Sequence, residues 1–452
     1  MSEKKAFRKY YAGLDIAKNK INVCIIDSSD FRLDEEYDTT LDGLMSLKNN
    51  LKKHLVEEVI YENTGVYSVP VMNILKDEFK IFPVHPADVK RKNQKKTDVS
   101  DAWWLANLLR SGTIGKDKGI ESSYIPSKKQ SELRILTRMQ SRYTAQTTKH
   151  KNRITKIFDR SNIKIMTLFD NDKFTKTSLA VYQTLAEKKS WTDKIVELEE
   201  NKIGKKGRES NIITRQIKFL TNNEEELNFL VKNSTQGKLT ENNRLELLFE
   251  LIQLEQLFDI IDILEKKIEE IISKEKEFKE QVDLLMSIPG MGKTTAPQIV
   301  AEIPPIENFQ TAKKFASFAG LVPKVQRSAD VVHIGKITKR GSSYLRKALF
   351  QAGQVASMST KQSLGRKAKL LFERKGKGKG KIVWTALARC LAEISFIILR
   401  SKRPYEEPGY SKRAVKKAKR ILNTQTVHEI AKELRNRNYQ VVIKDLSTDI
   451  AF

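Results

Sequence analysis

Two carboxylates three residues apart open the most constrained stretch of this chain, Thr97-Asp98-Val99-Ser100-Asp101-Ala102-Trp103-Trp104-Leu105-Ala106-Asn107-Leu108-Leu109-Arg110. The apolar residues that follow recur at helical spacing, which puts Asp98 and Asp101 on one face of the first turn. Just upstream stand Lys90, Arg91, Lys92, Lys95 and Lys96, a run of cations suited to phosphate. The same spacing also serves an N-cap followed by a favourable first-turn charge, a purely structural use. What weighs against that use alone is a second pair of carboxylates in strand-like surroundings, Asp15 in Tyr11–Ala17 and Glu62 in Val59–Gly65.

The order of elements gathers the four. Asp15 lies in an apolar segment followed by Ile21–Ile26 and the alternating Phe31–Tyr37, a three-stranded meander. Then come a predicted helix from Leu41 to His54, a buried strand from Val56 to Glu62, a helix from Tyr67 to Phe79, a short strand from Lys80 to Val84 and a closing helix from Asp98 to Arg110. This is the order of an RNase H-like (RuvC-like) α/β domain, in which a carboxylate on the first strand, one at the end of the fourth and a pair on the last helix converge. Hard oxygen donors suit Mg2+ or Mn2+, which can orient and activate a nucleophile against a phosphodiester.

Charge narrows the partner. With 83 Lys and Arg against 56 Asp and Glu, the 452-residue chain carries a formal net charge of +27, spread along its length. Nucleic acid is the expected partner, because neutralising phosphates and releasing their counterions drives such binding. No segment has the roughly 18 uninterrupted apolar residues of a spanning helix, and the N-terminus lacks a signal-peptide core, so a cytoplasmic protein with no membrane partner is expected. Cys24 and Cys390 sit in apolar segments as reduced thiols, and two Cys with five scattered His make no zinc pattern.

At this length two or three domains are expected. Residues 1–115 form the α/β domain, 128–276 a helical and coiled-coil region, 280–403 a mostly helical C-terminal domain, and 404–452 a basic linker with a small helix and strand. From Lys128 a long helix sets Leu133, Leu136, Met139, Tyr143 and Ile154 on a sticky face and Arg134, Arg138 and Arg142 on a basic one, which serves either solvent or nucleic acid. Residues 173–237 are helix-prone with weak periodicity. Leu247, Leu251, Leu254, Phe258, Ile261, Ile268 and Ile272, interrupted only at Glu265 where Leu264 beside it takes the core position, then make a heptad seam, closing within the chain or between protomers.

Ser287-Ile288-Pro289-Gly290-Met291-Gly292-Lys293 superficially suits a nucleotide-binding loop, but that loop needs Gly where Ser287 stands and a preceding strand. A helix-hairpin-helix-like turn fits better, with Gly290, Gly292 and Lys293 able to hold a nucleic-acid phosphate, or serving simply as a turn. Further on, Lys324–Asp330 and Gly335–Lys347 interleave cations, among them Arg327, Lys336, Lys339 and Arg340, with Ser328, Ser342 and Ser343. Taken alone this is an ordinary basic loop with capping serines.

Together the motifs Gly13-Leu14-Asp15-Ile16-Ala17-Lys18, Glu62-Asn63-Thr64-Gly65-Val66-Tyr67, Lys96-Thr97-Asp98-Val99-Ser100-Asp101-Ala102, Ser287–Gly292, Phe318-Ala319-Gly320-Leu321-Val322-Pro323 and Lys339-Arg340-Gly341 resemble, in order, the insertion-sequence one-ten transposases. The resemblance spans most of residues 10–403. It implies that Asp15, Glu62, Asp98 and Asp101 bind the metal and that Ser328 is the nucleophile. It also implies recombination between donor and target double-stranded DNA guided by a structured non-coding RNA, within a homo-oligomer (dimer to tetramer) whose protomers share sites. Between Ser328 and Gly341 the chain is about one residue shorter than the usual pattern, which keeps Ser342 and Ser343 in view. The competing functions are a metal-dependent nuclease or Holliday-junction resolvase, and a non-catalytic nucleic-acid-binding scaffold.

Overall fold

The computed structural model describes residues 9–29, 31–63, 65–89, 98–115, 119–120, 122–169, 172–232, 239–328, 331–376 and 378–407. The chain divides into two compact units, Met1–Ser127 and Lys128–Phe452.

The first unit is mixed α/β. Strands β1 (Tyr10–Ile16), β2 (Lys20–Ile26) and β3 (Arg32–Asp38) form an antiparallel meander. Helix α1 (Leu41–Lys53) leads to β4 (Val56–Glu62), α2 (Ser68–Leu75) to β5 (Lys80–Val84), and the short α3 (Pro86–Val89) precedes α4 (Asp98–Arg110). The sheet order is β3-β2-β1-β4-β5, with β4 parallel to both β1 and β5. Parallel neighbours need crossover connections, which α1 and α2 supply. Alternation along the strands then sorts the residues into two faces. Leu14, Val23, Val59 and Tyr61 pack with Leu44, Leu47 and Val71 of α1 and α2. On the opposite face Ile60 packs with Leu105, Leu108 and Leu109, and Cys24 and Ile26 with Ala102 and Ala106, all on α4. Three layers result. The edge strand β3 keeps Arg32, Asp34 and Glu36 outward, which discourages edge pairing.

In the second unit, α5 (Lys128–Arg160) and α10 (Glu241–Lys274) form an antiparallel pair. The direction follows from its ties: Lys129 with Glu275, Gln140 with Glu265, His150 and Arg153 with Glu250, and Arg160 with Glu246. The seam of α10 therefore closes within the chain. Leu264 takes the core position beside Glu265 as expected, but the line otherwise differs from the heptad reading, because Leu257 is buried while Phe258 and Ile261 are only half-buried. On α5 the expected apolar face is also displaced. Leu136, Met139 and Tyr143 are half-buried, whereas Thr137, Gln140, Ser141 and Thr147 are buried. Short hydroxyl side chains tolerate this burial because they bond back to their own helix: Thr137 Oγ1 donates to the Leu133 carbonyl at 3.0 Å and Thr147 Oγ1 to that of Thr144 at 2.8 Å.

Between the two long helices the chain forms α6 (Lys176–Glu187), α7 (Trp191–Lys202), α8 (Gly207–Asn222) and α9 (Glu224–Lys232). They share with α5 and α10 a core that includes Phe158, Tyr182, Leu220 and Leu254. A separate core joins α11 (Lys276–Met286), α12 (Thr295–Glu302), α13 (Ala312–Phe318), α14 (Ser343–Ala356), α15 (Ser363–Lys375) and α16 (Gly380–Ser401). Helix α16 has the length and mean hydropathy, 1.9 over its most apolar window, of a membrane-spanning helix. Here Val383, Leu387 and Leu391 bury one side in the core, and an Arg389–Glu393 pair at 3.2 Å marks another.

The stretch read as a basic loop is instead an antiparallel hairpin, β6 (Pro323–Ser328) with β7 (Val331–Ile337), the one sheet among the described residues of this mostly helical unit. Cations interrupt its alternation, which hides it at the level of sequence. Of the appended segment 404–452, residues 408–452 lie outside the described residues.

Candidate active site

The direction of α4 decides whether the acidic residues can meet. Its C-terminal Arg110 donates from a guanidinium nitrogen to the Ser29 carbonyl at 3.2 Å. Ser29 follows β2, whose Ile26 pairs with Tyr11 at the start of β1. Helix α4 thus runs antiparallel to β1, and its first turn lies toward the strand's C-terminal end. There the parallel register pairs Gly13 with Ile60 and Leu14 with Tyr61, so Asp15 and Glu62 follow side by side. Alternation gives Asp15 the face of Gly13, and Glu62 the face of Ile60, which is the face α4 covers.

The approach is close. A Cβ built at Gly13 would sit 2.1 Å from the Ala102 carbonyl oxygen and 2.5 Å from the Ala106 amide nitrogen, so only glycine lets the helix lie this near the strand. Asp15, Glu62 and Asp101 are each half-buried. Asp98 heads α4, and its side chain lies outside the described ones, as do Lys90, Arg91, Lys92, Lys95 and Lys96 altogether. Among the described residues no three His, Cys, Asp or Glu stand close enough to hold an ion.

A divalent ion nevertheless fits the donors present in kind and in placement. They are hard oxygens on one face at one end of the sheet. One further group sits with them. Asn22 is opposite Asp15 in the β1–β2 register, is 5 % exposed, and its Nδ2 finds no hydrogen-bond partner among the described residues. A buried amide left without an acceptor is costly, and it supplies a donor at the acidic end. Sequence reasoning missed it, although an Asn interrupting Ile21-Asn22-Val23-Cys24 was the available signal.

Ser328 ends β6 at the tip of the hairpin, paired with Val331. Its side chain and that of Arg327 lie outside the described ones. The base of the hairpin is tightly fixed. Thr338 N donates to the Val322 carbonyl at 2.9 Å and Lys339 N to that of Gly320 at 3.1 Å. Gly320 and Gly341 adopt φ of +69° and +80°, and a Cβ on either would lie 2.1 Å from a carbonyl oxygen of the other strand of this crossing, Arg340 and Phe318 respectively. Lys339 itself takes a left-handed φ of 55°. Arg346 bonds the carbonyls of Ala319 and Arg340, both at 3.3 Å. The exposed Lys336, Lys339 and Arg340 therefore ride on a rigid base. Ser342 is occupied as the N-cap of α14, accepting from the amides of Tyr344 and Leu345.

The basic face of α5 is divided. Arg138 forks onto Glu302, with Nε–Oε1 at 2.6 Å and Nη2–Oε2 at 2.9 Å, and lies over the Tyr344 ring at 4.9 Å. Arg134 donates to the Ala301 carbonyl at 2.9 Å. Both therefore hold the C-terminal end of α12, while Arg142 is exposed. At the helix-hairpin-helix-like turn, a Cβ on Gly290 would lie 2.4 Å from the Ala352 carbonyl, Gly292 N donates to Thr295 Oγ1 at 2.9 Å, and Lys293 is exposed 4.0 Å from Glu269. This turn packs against α14 on one side and is closed by its own hydroxyl on the other.

Two family models match, in the order of the units. Residues 12–163 match a DEDD-type family described as a transposase, and residues 282–368 match the transposase IS116/IS110/IS902 family. A pilin gene-inverting protein of Moraxella bovis is 34 % identical over 33 % of this chain and 46 % of its own length. The transposase for insertion sequence element IS1328 of Yersinia enterocolitica is 29 % identical over 29 % of this chain and 41 % of its own length. That for IS1111A of Coxiella burnetii is 30 % identical over 28 % and 35 %. The matches span less than half the length of these curated relatives.

Proposed function

We propose that this chain is the transposase of an insertion sequence similar to the IS116/IS110/IS902 elements, an enzyme that cuts and rejoins DNA. The observation that carries this is the antiparallel run of α4 over β1, which directs the Asp98–Asp101 turn toward Asp15 and Glu62. The two transposase matches, lying in order along the chain, support it. On this reading the first unit is RNase H-like, its strand order being the one such domains use, and Asp15, Glu62, Asp98 and Asp101 hold Mg2+ or Mn2+. The ion supplies charge neutralisation at the phosphate and a lowered pKa for a bound hydroxyl.

The protein's own groups do the rest. Ser328 Oγ, carried on the hairpin tip, attacks the phosphorus of a DNA phosphodiester; the hydroxyl proton passes to a neighbouring base, a sugar oxygen leaves, and a phosphoserine link forms. A hydroxyl from a second strand later displaces the serine and restores a phosphodiester. Lys336, Lys339, Arg340 and Arg327 stabilise charge on the phosphoryl oxygens. Lys90–Lys96, Arg142 and Lys293 contact backbone phosphates of donor and target DNA and of a structured guide RNA, in the cytoplasm and in a homo-oligomer of two to four protomers. The test is to trap the reaction on nicked DNA, denature it and map any peptide bonded to DNA. An adduct at Ser328, absent from Ser328→Ala, is expected. An adduct at Ser342 or Ser343 would move the nucleophile, and free ends without adduct would favour a metal-dependent nuclease or junction resolvase.

A further inference from the structure

Resting on the reading that Asp15 belongs to a metal-binding carboxylate set, we infer that Asn22 is a positioning residue of that site, its side-chain amide holding the Asp15 carboxylate with one oxygen turned toward the ion. Asn22 is the one polar residue between Ile21 and Ile26 of β2, and its neighbours Ile21 and Val23 are 0 and 2 % exposed. Strands disfavour asparagine, so packing alone would select Val or Ile here.

The register shows what the amide stands beside. Alternation puts Asn22 on the face of Cys24 and Ile26, which pack against Ala102 and Ala106 of α4. Directly opposite it on that face are two carboxylates, Asp15 on β1 and Glu36 on β3, and Cβ atoms in such pairs lie about 5 Å apart. Glu36 is exposed and tied to Lys20 at 3.1 Å. Asp15 is half-buried, at the end of the sheet where Glu62 and the first turn of α4 also lie. Asn22 Nδ2 is therefore a buried donor, without an acceptor among the described residues, set beside the carboxylate that the site uses. Keeping such a donor costs stability until an acceptor is presented. When Asp15 gives one oxygen to the ion its second oxygen needs a donor, and the neighbouring amide carries one.

Charge explains why the donor is an amide. A Lys or Arg at position 22 would neutralise Asp15 and compete with the divalent ion for it, whereas an Asp would add a like charge to a set that already repels itself. An amide donates and leaves the net charge unchanged.

The test uses the full chain as native protein, Asn22→Val, Asn22→Ala and Asp15→Asn. Mn2+ binding is read from the electron paramagnetic resonance signal of the free ion, and thermal melting is followed without metal. Both Asn22 variants should bind Mn2+ about 10- to 100-fold more weakly, as loss of a hydrogen bond to a metal-ligating group does. Without metal, at least one of the two should melt at or above the native temperature, because the unpaired amide is gone. A lower metal-free melting temperature in both would make the amide part of the fold and overturn the inference. So would Mn2+ affinity within about two-fold of native in either folded variant, and weakened DNA binding alongside it would assign the donor to a phosphate. Native protein that binds no Mn2+, or Asp15→Asn that binds it as the native protein does, overturns the metal-site reading itself, so the two failures are distinct.

Discussion

Gly13 on β1 and Ala102 on α4 meet backbone to backbone: a Cβ at position 13 would stand 2.1 Å from the Ala102 carbonyl oxygen. This contact sets how near the first turn of α4 lies to Asp15 and Glu62. Gly13→Ala should push the helix outward by a fraction of its diameter while the sheet persists. Overpacking of this kind costs about 1–3 kcal/mol, and misplacing a reacting group by about 1 Å costs on the order of 100-fold in rate. Circular dichroism together with a strand-cleavage assay measures both. Full activity in a folded Gly13→Ala protein would separate the helix position from the chemistry.

Arg138 and Glu302 should be a stability pair. Glu302 is 3 % exposed and receives both branches of the guanidinium fork. Arg138→Ala would leave a buried carboxylate with only Arg134, 3.8 Å away. Removing one partner of a buried pair costs about 3–5 kcal/mol; because the Arg138 side chain is 39 % exposed, about 2 kcal/mol is expected. Urea denaturation of the full chain reads this. A loss of nucleic-acid affinity with unchanged stability would instead make Arg138 a phosphate contact.

Acid should loosen the first unit through Glu58. Burial alone would raise its pKa, but hydrogen bonds and charge from Lys80 at 3.0 Å and Lys9 at 3.2 Å outweigh burial and hold it below the usual carboxylate range. A depressed folded pKa gives stability that is complete above the unfolded value and is lost as pH falls through the folded one. The melting temperature should therefore fall more steeply on acidification in the native protein than in Glu58→Gln. Parallel curves would show that the cluster contributes nothing.

Ser342 and Ser328 should behave differently on substitution. Ser342 caps α14, so Ser342→Ala should cost about 1 kcal/mol of stability and leave the DNA adduct in place. Ser328→Ala should do the reverse. Thermal melts and adduct yield, measured on both variants, separate the two roles.

Elements with clear periodicity were legible in the sequence. The strand Val56–Glu62 and the helix Asp98–Arg110 occur with those bounds because a short buried apolar run and an apolar helical stripe leave little choice. Where side chains carry mixed duties the reading failed. The α5 seam is built of Thr137, Gln140 and Ser141, whose polarity hides their burial until their hydrogen bonds are known. Arg134 and Arg138 looked like a nucleic-acid face because a sequence cannot show that Ala301 and Glu302 lie opposite them. Within the acidic end, Asp15 and Glu62 were legible as strand carboxylates, but Asn22 became visible only through its register with Asp15.

The central claim is that the carboxylates of the first unit drive DNA strand cleavage through a divalent ion. It is tested most directly by cleavage of a supercoiled plasmid carrying the element's ends, with Mg2+, Mn2+ or chelator, using the native chain and Asp15→Asn and Asp101→Asn. Native protein should cut only with metal, and each isosteric variant should lose cutting by at least about 100-fold while still binding the DNA. Cutting in chelator, or by folded Asp101→Asn at the native rate, would contradict the account.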